Sequence, residues 1–215
     1  MLTFLRSFTG VELLIVTVAF LLTIILSLSL HEFSHAYTAY KCGDDTPKMQ
    51  GRISLNPFAH IDIIGFICCA FFGFGWAKPV QINYNNFRNI KKGTALTSVS
   101  GVLMNLFLSF ISCGIYTALL YIDAKNYLLT FIITFFQFMF SINVCLAVFN
   151  FLPIYPLDGF KFIENFTKYN NSYVRFMHRY GSYVLLGVLL FLNDLLGFII
   201  TYVSLPIAYF WNLIL

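Results

Sequence analysis

The sequence predicts an all-α, multi-pass membrane protein, and three observations carry that expectation. Hydrophobic residues make up 59% of the 215 positions against 10% charged ones, and the mean hydropathy of +0.80 lies far outside the range of soluble globular domains. Several apolar runs are long enough to cross a bilayer; the first, residues 13–30, reads LLIVTVAFLLTIILSLSL without a charge. The Lys and Arg residues gather in loops that fall on one side of the membrane once the runs are threaded. The expected architecture is about five transmembrane helices plus a re-entrant segment flanked by short β-strands. That fills a single domain, 1–215, with a core at about 11–160 and C-terminal helical segments at about 173–215. A separate soluble domain of ordinary size has no room. The net charge of +4 reads as membrane orientation, so the lipid bilayer is the expected partner and no nucleic acid is expected.

The first segment, about Val11 to Tyr40, lacks a small-x-small cleavage site and ends in a polar cluster, so it is expected to stay in the mature chain. The second, Ile61 to Trp76, has sixteen residues interrupted by Gly65, Gly73 and Gly75, which is short for a span. It is flanked by GRISLN at 51–56 and by Val80–Tyr84. Both alternate polar and apolar residues, the pattern of half-buried strands or of amphipathic interfacial loops. As strands they offer an edge on which an extended peptide can be held. Segments at about Ala95 to Tyr121 and Tyr127 to Leu152 form an antiparallel helical pair around Asp123 and Lys125. Two further apolar segments, Tyr180 to Phe191 and Leu195 to Leu215, follow a mixed stretch, the last one carrying Pro206. The five cysteines, Cys42, Cys68, Cys69, Cys113 and Cys145, form no CxxC pair and read as reduced packing residues.

The polar cluster at the end of the first segment is His31-Glu32-Phe33-Ser34-His35. Two histidines four apart project from one helix face and can share a metal ion, with Glu32 beside them to act as a base: the HExxH arrangement. Each ionisable group at the centre of a membrane helix costs about 2.5–3.5 kcal/mol on insertion scales, so the cluster needs a partner, and a zinc ion provides one. Catalytic zinc commonly takes three protein ligands. The remaining candidates are His60, His178, Glu164 and Asp44, Asp45, Asp62, Asp123, Asp158 and Asp194. Asp158 is the preferred third ligand, because Pro153, Pro156 and Gly159 place it on irregular backbone at membrane depth, which is tolerated only around a cavity or inside protein. A plain turn Asp before Gly is the competing reading. His60 and His178 read as interfacial rather than ligating.

Threading tests that choice. His35 and Asp158 share a side only if an even number of crossings separates them, which makes Ile61 to Trp76 re-entrant. With the N-terminus outside, all but Arg6 and Lys125 of the thirteen Lys and Arg then lie inside, so the site faces the cytoplasm.

Taken in order, HEFSHAYTAY, GRISLNPFAHID, GFGWAKPVQINYNNFRN, SGVLMN and NFLPIYPLDG resemble the motifs of the site-2 proteases, intramembrane zinc metalloproteases of peptidase family M50, in their small bacterial branch without a PDZ domain. The resemblance covers about Leu13 to Lys161. It implies one Zn2+ per chain on His31, His35 and Asp158, with Glu32 activating water. It also implies a substrate-binding role for Asn150, and for Asn105 a role in stabilising the site or the oxyanion, although an interhelical hydrogen bond would explain Asn105 nearly as well. The implied activity is cleavage of peptide bonds in or beside transmembrane segments of other proteins, in the bacterial cell membrane. Two positions depart from the family pattern: Tyr155 and Val102 stand where prolines are usual. The competing readings are a prenyl-protein-processing type with a Glu ligand, for which only Glu164 is available downstream, and a catalytically silent scaffold or transporter that retains a metal site.

Overall fold

The computed structural model describes residues 10–72, 77–123, 126–168 and 171–215. These are helical: α1 (Gly10–Cys42), the single turn α2 (Thr46–Met49), α3 (Ile63–Phe72), α4 (Ile90–Leu119), α5 (Tyr127–Asn150), α6 (Asp158–Phe166), α7 (Ser172–Phe191) and α8 (Asn193–Ile214). Four of them, α1, α4, α5 and α8, are long and apolar enough to cross a membrane. At 1.5 Å per residue the 33 residues of α1 extend about 50 Å, beyond the roughly 30 Å hydrocarbon layer, so one end projects from the membrane or the helix tilts.

The core is the packing of α1, α4 and α5, and small residues make it possible. The buried face of α1 repeats every four residues as Ile15, Ala19, Thr23, Ser27 and His31, and that of α4 as Gly93, Thr97, Gly101, Asn105 and Ser109. Lipid tails are as apolar as leucine, so membrane helices associate through close approach and interhelical hydrogen bonds, which these residues supply. Their outer surfaces carry the exposed apolar side chains Leu14, Val18, Leu103 and Phe107. The helices α4, α5 and α7 each start on an Asn cap where the chain leaves a loop. Asn89 Oδ1 accepts from Lys92 N at 3.0 Å, and Asn126 Oδ1 from Leu129 N at 2.8 Å. The last helix, α8, lies against α4 and α5; Trp211 Nε1 donates to Phe110 O at 2.8 Å, and its indole fills the space left by Gly114.

Three expectations are corrected here. Four rather than about five helices reach spanning length and apolarity among the described residues. The apolar stretch Tyr180 to Phe191 is the second half of α7, whose first half carries Arg175, His178 and Arg179. The flanking strands are absent: among the described residues one isolated antiparallel bridge, Ile61 with Ala77, is the whole of the extended pairing. Pro57 and Pro79 lack a ladder N–H, and the side chains of Asn56 and Asn83 each accept from the N–H two residues on, at 3.1 and 3.2 Å, starting 3-10 turns at Pro57–Ala59 and Tyr84–Asn86. Asp158, expected on irregular backbone, is instead the first residue of α6.

The two ends of the short segment lie together. The Ile61–Ala77 bridge and the Lys78 N to His60 O bond, at 2.8 Å, join the two ends of the stretch that contains α3, so the chain returns to where it left. Asp62 Oδ1 accepts from Gly65 N at 2.8 Å and starts the helix, while Ile63 and Ile64 are exposed as on a lipid-facing hairpin. Gly73, Gly75 and Trp76 lie outside the described residues, as do Arg6, Lys125 and the Cys69 side chain. Cys42, Cys68, Cys113 and Cys145 are free thiols.

One knot ties the returning chain to α1. Asp44 has no exposed surface, and its carboxylate accepts from Thr46 N and Oγ1, Asn83 N at 2.8 Å and Asn86 Nδ2 at 2.8 Å. Burial would raise its carboxyl, but these donors hold it below the usual carboxylate range.

Candidate metal centre

The three residues chosen from the sequence meet in one buried cluster. His31 Nε2 and His35 Nε2 are 3.0 Å apart, and Asp158 Oδ2 lies 3.1 Å from the first and 3.0 Å from the second. The helical spacing of α1 sets the two imidazoles one turn apart. The turn Phe151–Leu157 carries the chain back from α5 so that Asp158, opening α6, faces them. Gly159 permits that return, since a Cβ there would stand 2.6 Å from Leu152 O.

The surrounding hydrogen bonds decide which ring nitrogens carry protons. The Met139 carbonyl can only accept, so Asn143 presents Nδ2 to it at 2.8 Å and turns Oδ1 toward Asn105. Asn105 answers with Nδ2 at 3.1 Å and therefore turns Oδ1 to His31, whose Nδ1–H donates at 2.7 Å. His35 Nδ1–H donates to the Thr97 carbonyl, again at 2.7 Å. Both Nε2 atoms thus carry lone pairs and point at each other and at a carboxylate oxygen. Three electron-rich atoms this close repel unless positive charge sits among them.

A divalent cation fits that need. Four-coordinate zinc with ligand bonds of about 2.0–2.2 Å keeps its ligand atoms roughly 3.3 Å apart, and the separations of 3.0–3.1 Å come near that value. Asp158 stays ionised as a ligand requires. The Lys161 ammonium, 3.2 Å from Oδ1, favours the charged carboxylate. Gly101 leaves the room: a Cβ there would stand 2.6 Å from His31 Nε2. Val102, at the position where a proline is usual, continues α4 without interruption.

Glu32 lies on the cavity side of the cluster. Its Oε2 accepts from Val80 N at 3.1 Å. The cavity of about 50 Å³ beside it is walled by His35, Asp158, Lys161, Val80, Ile82 and Tyr84, among others. The stretch 77–83 forms no sheet strand, and it places Pro79, Val80 and Ile82 in that wall.

Other residues fall elsewhere. Asn105, for which a role in stabilising the site or the oxyanion and an interhelical hydrogen bond were both open, has no exposed surface and bonds His31 Nδ1. Asn150 caps its own helix end, donating to Leu146 O at 3.0 Å, and is not part of the cavity wall at Glu32. Buried His60 bonds Ser54 O at 2.8 Å. His178 pairs at 2.6 Å with Glu164, the downstream Glu that the prenyl-protein-processing reading would need as a ligand. The sequence reading missed Asn143 and Lys161 and left Gly101, within SGVLMN, without a role of its own. Asn143 had left a signal, an amide in an otherwise apolar run, and Gly101 another, the four-residue repeat of small residues along α4.

Comparison with known proteins finds a family and relatives named as zinc metalloproteases. The family model described as peptidase family M50 matches residues 62–192, a span that carries Asp158 but begins after His35. The protein named "Putative zinc metalloprotease YwhC" of Bacillus subtilis is 40% identical over 147 residues, 67% of each chain. "Putative zinc metalloprotease Rip2" of Mycolicibacterium smegmatis is 30% identical over 166 residues, 74% of this chain and 59% of that one. The Mycobacterium tuberculosis protein of the same name is 30% identical over 145 residues, 65% and 54% of the two chains. The chain thus spans little more than half the length of the Rip2 proteins. No solved structure matches it significantly.

Proposed function

The chain belongs to peptidase family M50, and from that membership we propose that it is a zinc metalloendopeptidase of the membrane that cleaves other membrane proteins within or beside their transmembrane segments. The observation that carries the reading is the convergence of His31 Nε2, His35 Nε2 and Asp158 Oδ2 beside a cavity that Glu32 faces. These three residues hold one zinc ion per chain. When bound, zinc supplies the Lewis acidity that polarises a peptide carbonyl and makes water a nucleophile near neutral pH.

The chain's own groups do the rest. Glu32 takes a proton from water as the water oxygen bonds to the carbonyl carbon, and returns a proton to the amine nitrogen as the C–N bond breaks. Val80 N–H, bonded to Glu32 Oε2, aims that carboxylate. Pro79, Val80 and Ile82 form the wall along which an unwound substrate strand lies, and Asn150 contacts the same strand further out. Asn105 acts through His31: by accepting from Nδ1–H it keeps Nε2 free and fixes the ring. The joined ends of the α3 hairpin support an even crossing count, and the charge distribution supports a cytoplasmic site in a bacterial cell membrane.

The test is metal removal. Purified full-length protein in detergent should cleave a single-span test substrate, lose that cleavage on chelation, and regain it with zinc. A zinc-loaded, folded protein that cleaves no membrane substrate would contradict the proposal.

A further inference from the structure

Lys161 lies one turn beyond Asp158 on α6, and the Asp158 carboxylate is divided between two tasks. Oδ2 faces the two imidazoles, while Oδ1 accepts from Lys161 Nζ at 3.2 Å. The Lys161 side chain is 45% exposed and that of Asp158 only 7%, so the ammonium stands at the boundary between the buried ligands and the open cavity. An ammonium has three N–H donors. Asp158 takes one, and Lys161 shares the cavity wall with Glu32, Tyr84, Val80 and Ile82, where a peptide meets the base.

Helix stability does not account for a lysine here. A cation in the first turn of α6 opposes the helix dipole, and a half-exposed ion pair contributes little. Charge balance gives it a use. Two neutral imidazoles, two carboxylates and one divalent ion sum to zero, and Lys161 makes the site net positive. Such a site favours negative charge that develops during reaction and disfavours the metal cation itself.

We propose that Lys161 is a catalytic residue, the second electrophile of the site, whose ammonium, steadied by Asp158, donates to the scissile carbonyl oxygen as negative charge builds on it. No bond to Lys161 forms or breaks; the water adds to the carbonyl carbon as above, and Lys161 keeps its proton. The inference rests on the peptidase reading.

The experiment uses full-length protein in detergent and two variants, Lys161→Met and Lys161→Arg. Zinc affinity is read by competition with a chromophoric chelator, and cleavage of the single-span substrate under zinc saturation is read as kcat and KM. Lys161→Met should lose roughly 10²–10³-fold in kcat, the usual cost of one oxyanion donor, with KM within about threefold. Its zinc affinity should equal or exceed that of the wild type, because a positive neighbour has gone. Lys161→Arg, which keeps the charge, should recover most of the rate. A merely structural role is excluded by that pattern. Weaker zinc binding in Lys161→Met with a rate restored by excess zinc would mean that Lys161 only positions Asp158, and would overturn the proposal, as would an unchanged kcat. If the zinc-loaded wild type itself fails to cleave, the peptidase reading fails with it, and the wild-type control distinguishes the two cases.

Discussion

Replacing Asn105 separates the metal site from the fold that carries it. In the wild type, protons run one way along a buried chain: His31 Nδ1–H to Asn105 Oδ1 at 2.7 Å, Asn105 Nδ2 to Asn143 Oδ1 at 3.1 Å, and Asn143 Nδ2 to the Met139 carbonyl at 2.8 Å. Asn105→Leu strands His31 Nδ1–H and Asn143 Oδ1 with no partner. Each such buried group costs about 1–3 kcal/mol, so the fold should lose about 2–6 kcal/mol, less what the added apolar contacts return. Freed of its acceptor, the ring can turn or change tautomer, and loss of such a partner typically weakens metal binding 10–100-fold, or about 1.4–2.7 kcal/mol. Asn105→Asp behaves differently. It still accepts from Nδ1–H, with a more basic oxygen, so zinc affinity should stay at or above the wild-type value, while an oxygen now faces Asn143 Oδ1 and stability falls. The assays are chelator competition for zinc and thermal unfolding of the metal-free protein. Wild-type zinc affinity in Asn105→Leu, or equal losses of zinc affinity in the two variants, would refute the argument that this chain of amides sets the His31 tautomer.

Two other perturbations probe the frame. Gly101→Ala favours α4 by helix propensity, yet its Cβ would stand 2.6 Å from His31 Nε2; zinc affinity should fall at least about tenfold with helix content unchanged by circular dichroism. Asp44→Asn should cost about 2–4 kcal/mol by weakening the bonds that hold Asn83 and Asn86. The folded-state pKa of Asp44 is lowered, so its contribution to stability is present above the ordinary carboxylate range near pH 4 and disappears as pH falls through the folded value. Thermal unfolding against pH should therefore show a shallower acid limb in Asp44→Asn than in the wild type.

Much of the site was legible because its parts are local. The spacing of His31 and His35 needs only a helix, and Pro153, Pro156 and Gly159 mark the turn that delivers Asp158 whatever its exact backbone. What stayed hidden depends on packing or on competition between local signals. The period-two pattern at 51–56 and 80–84 lost to prolines and to asparagine side chains that cap turns. The basic residues at the start of α7 did not interrupt a helix, since Arg and His are compatible with helical backbone, and so the apolar half could not be read as a separate span. Asn143 meets Asn105 across 38 residues only through the register of α4 against α5, which no local pattern states. Lys161 looked like one more inside-facing charge; its position over the cavity follows from where α6 starts.

The central claim is that zinc on His31, His35 and Asp158 works with Glu32 as the base. Glu32→Gln keeps the side chain's size and its contact with Val80 but removes the basic oxygen. Measured on one purified sample, zinc content should be one per chain as in the wild type, while cleavage of the single-span substrate falls at least roughly 10²-fold, the lower range for a lost general base. Near wild-type cleavage by the zinc-loaded Glu32→Gln protein would contradict the account.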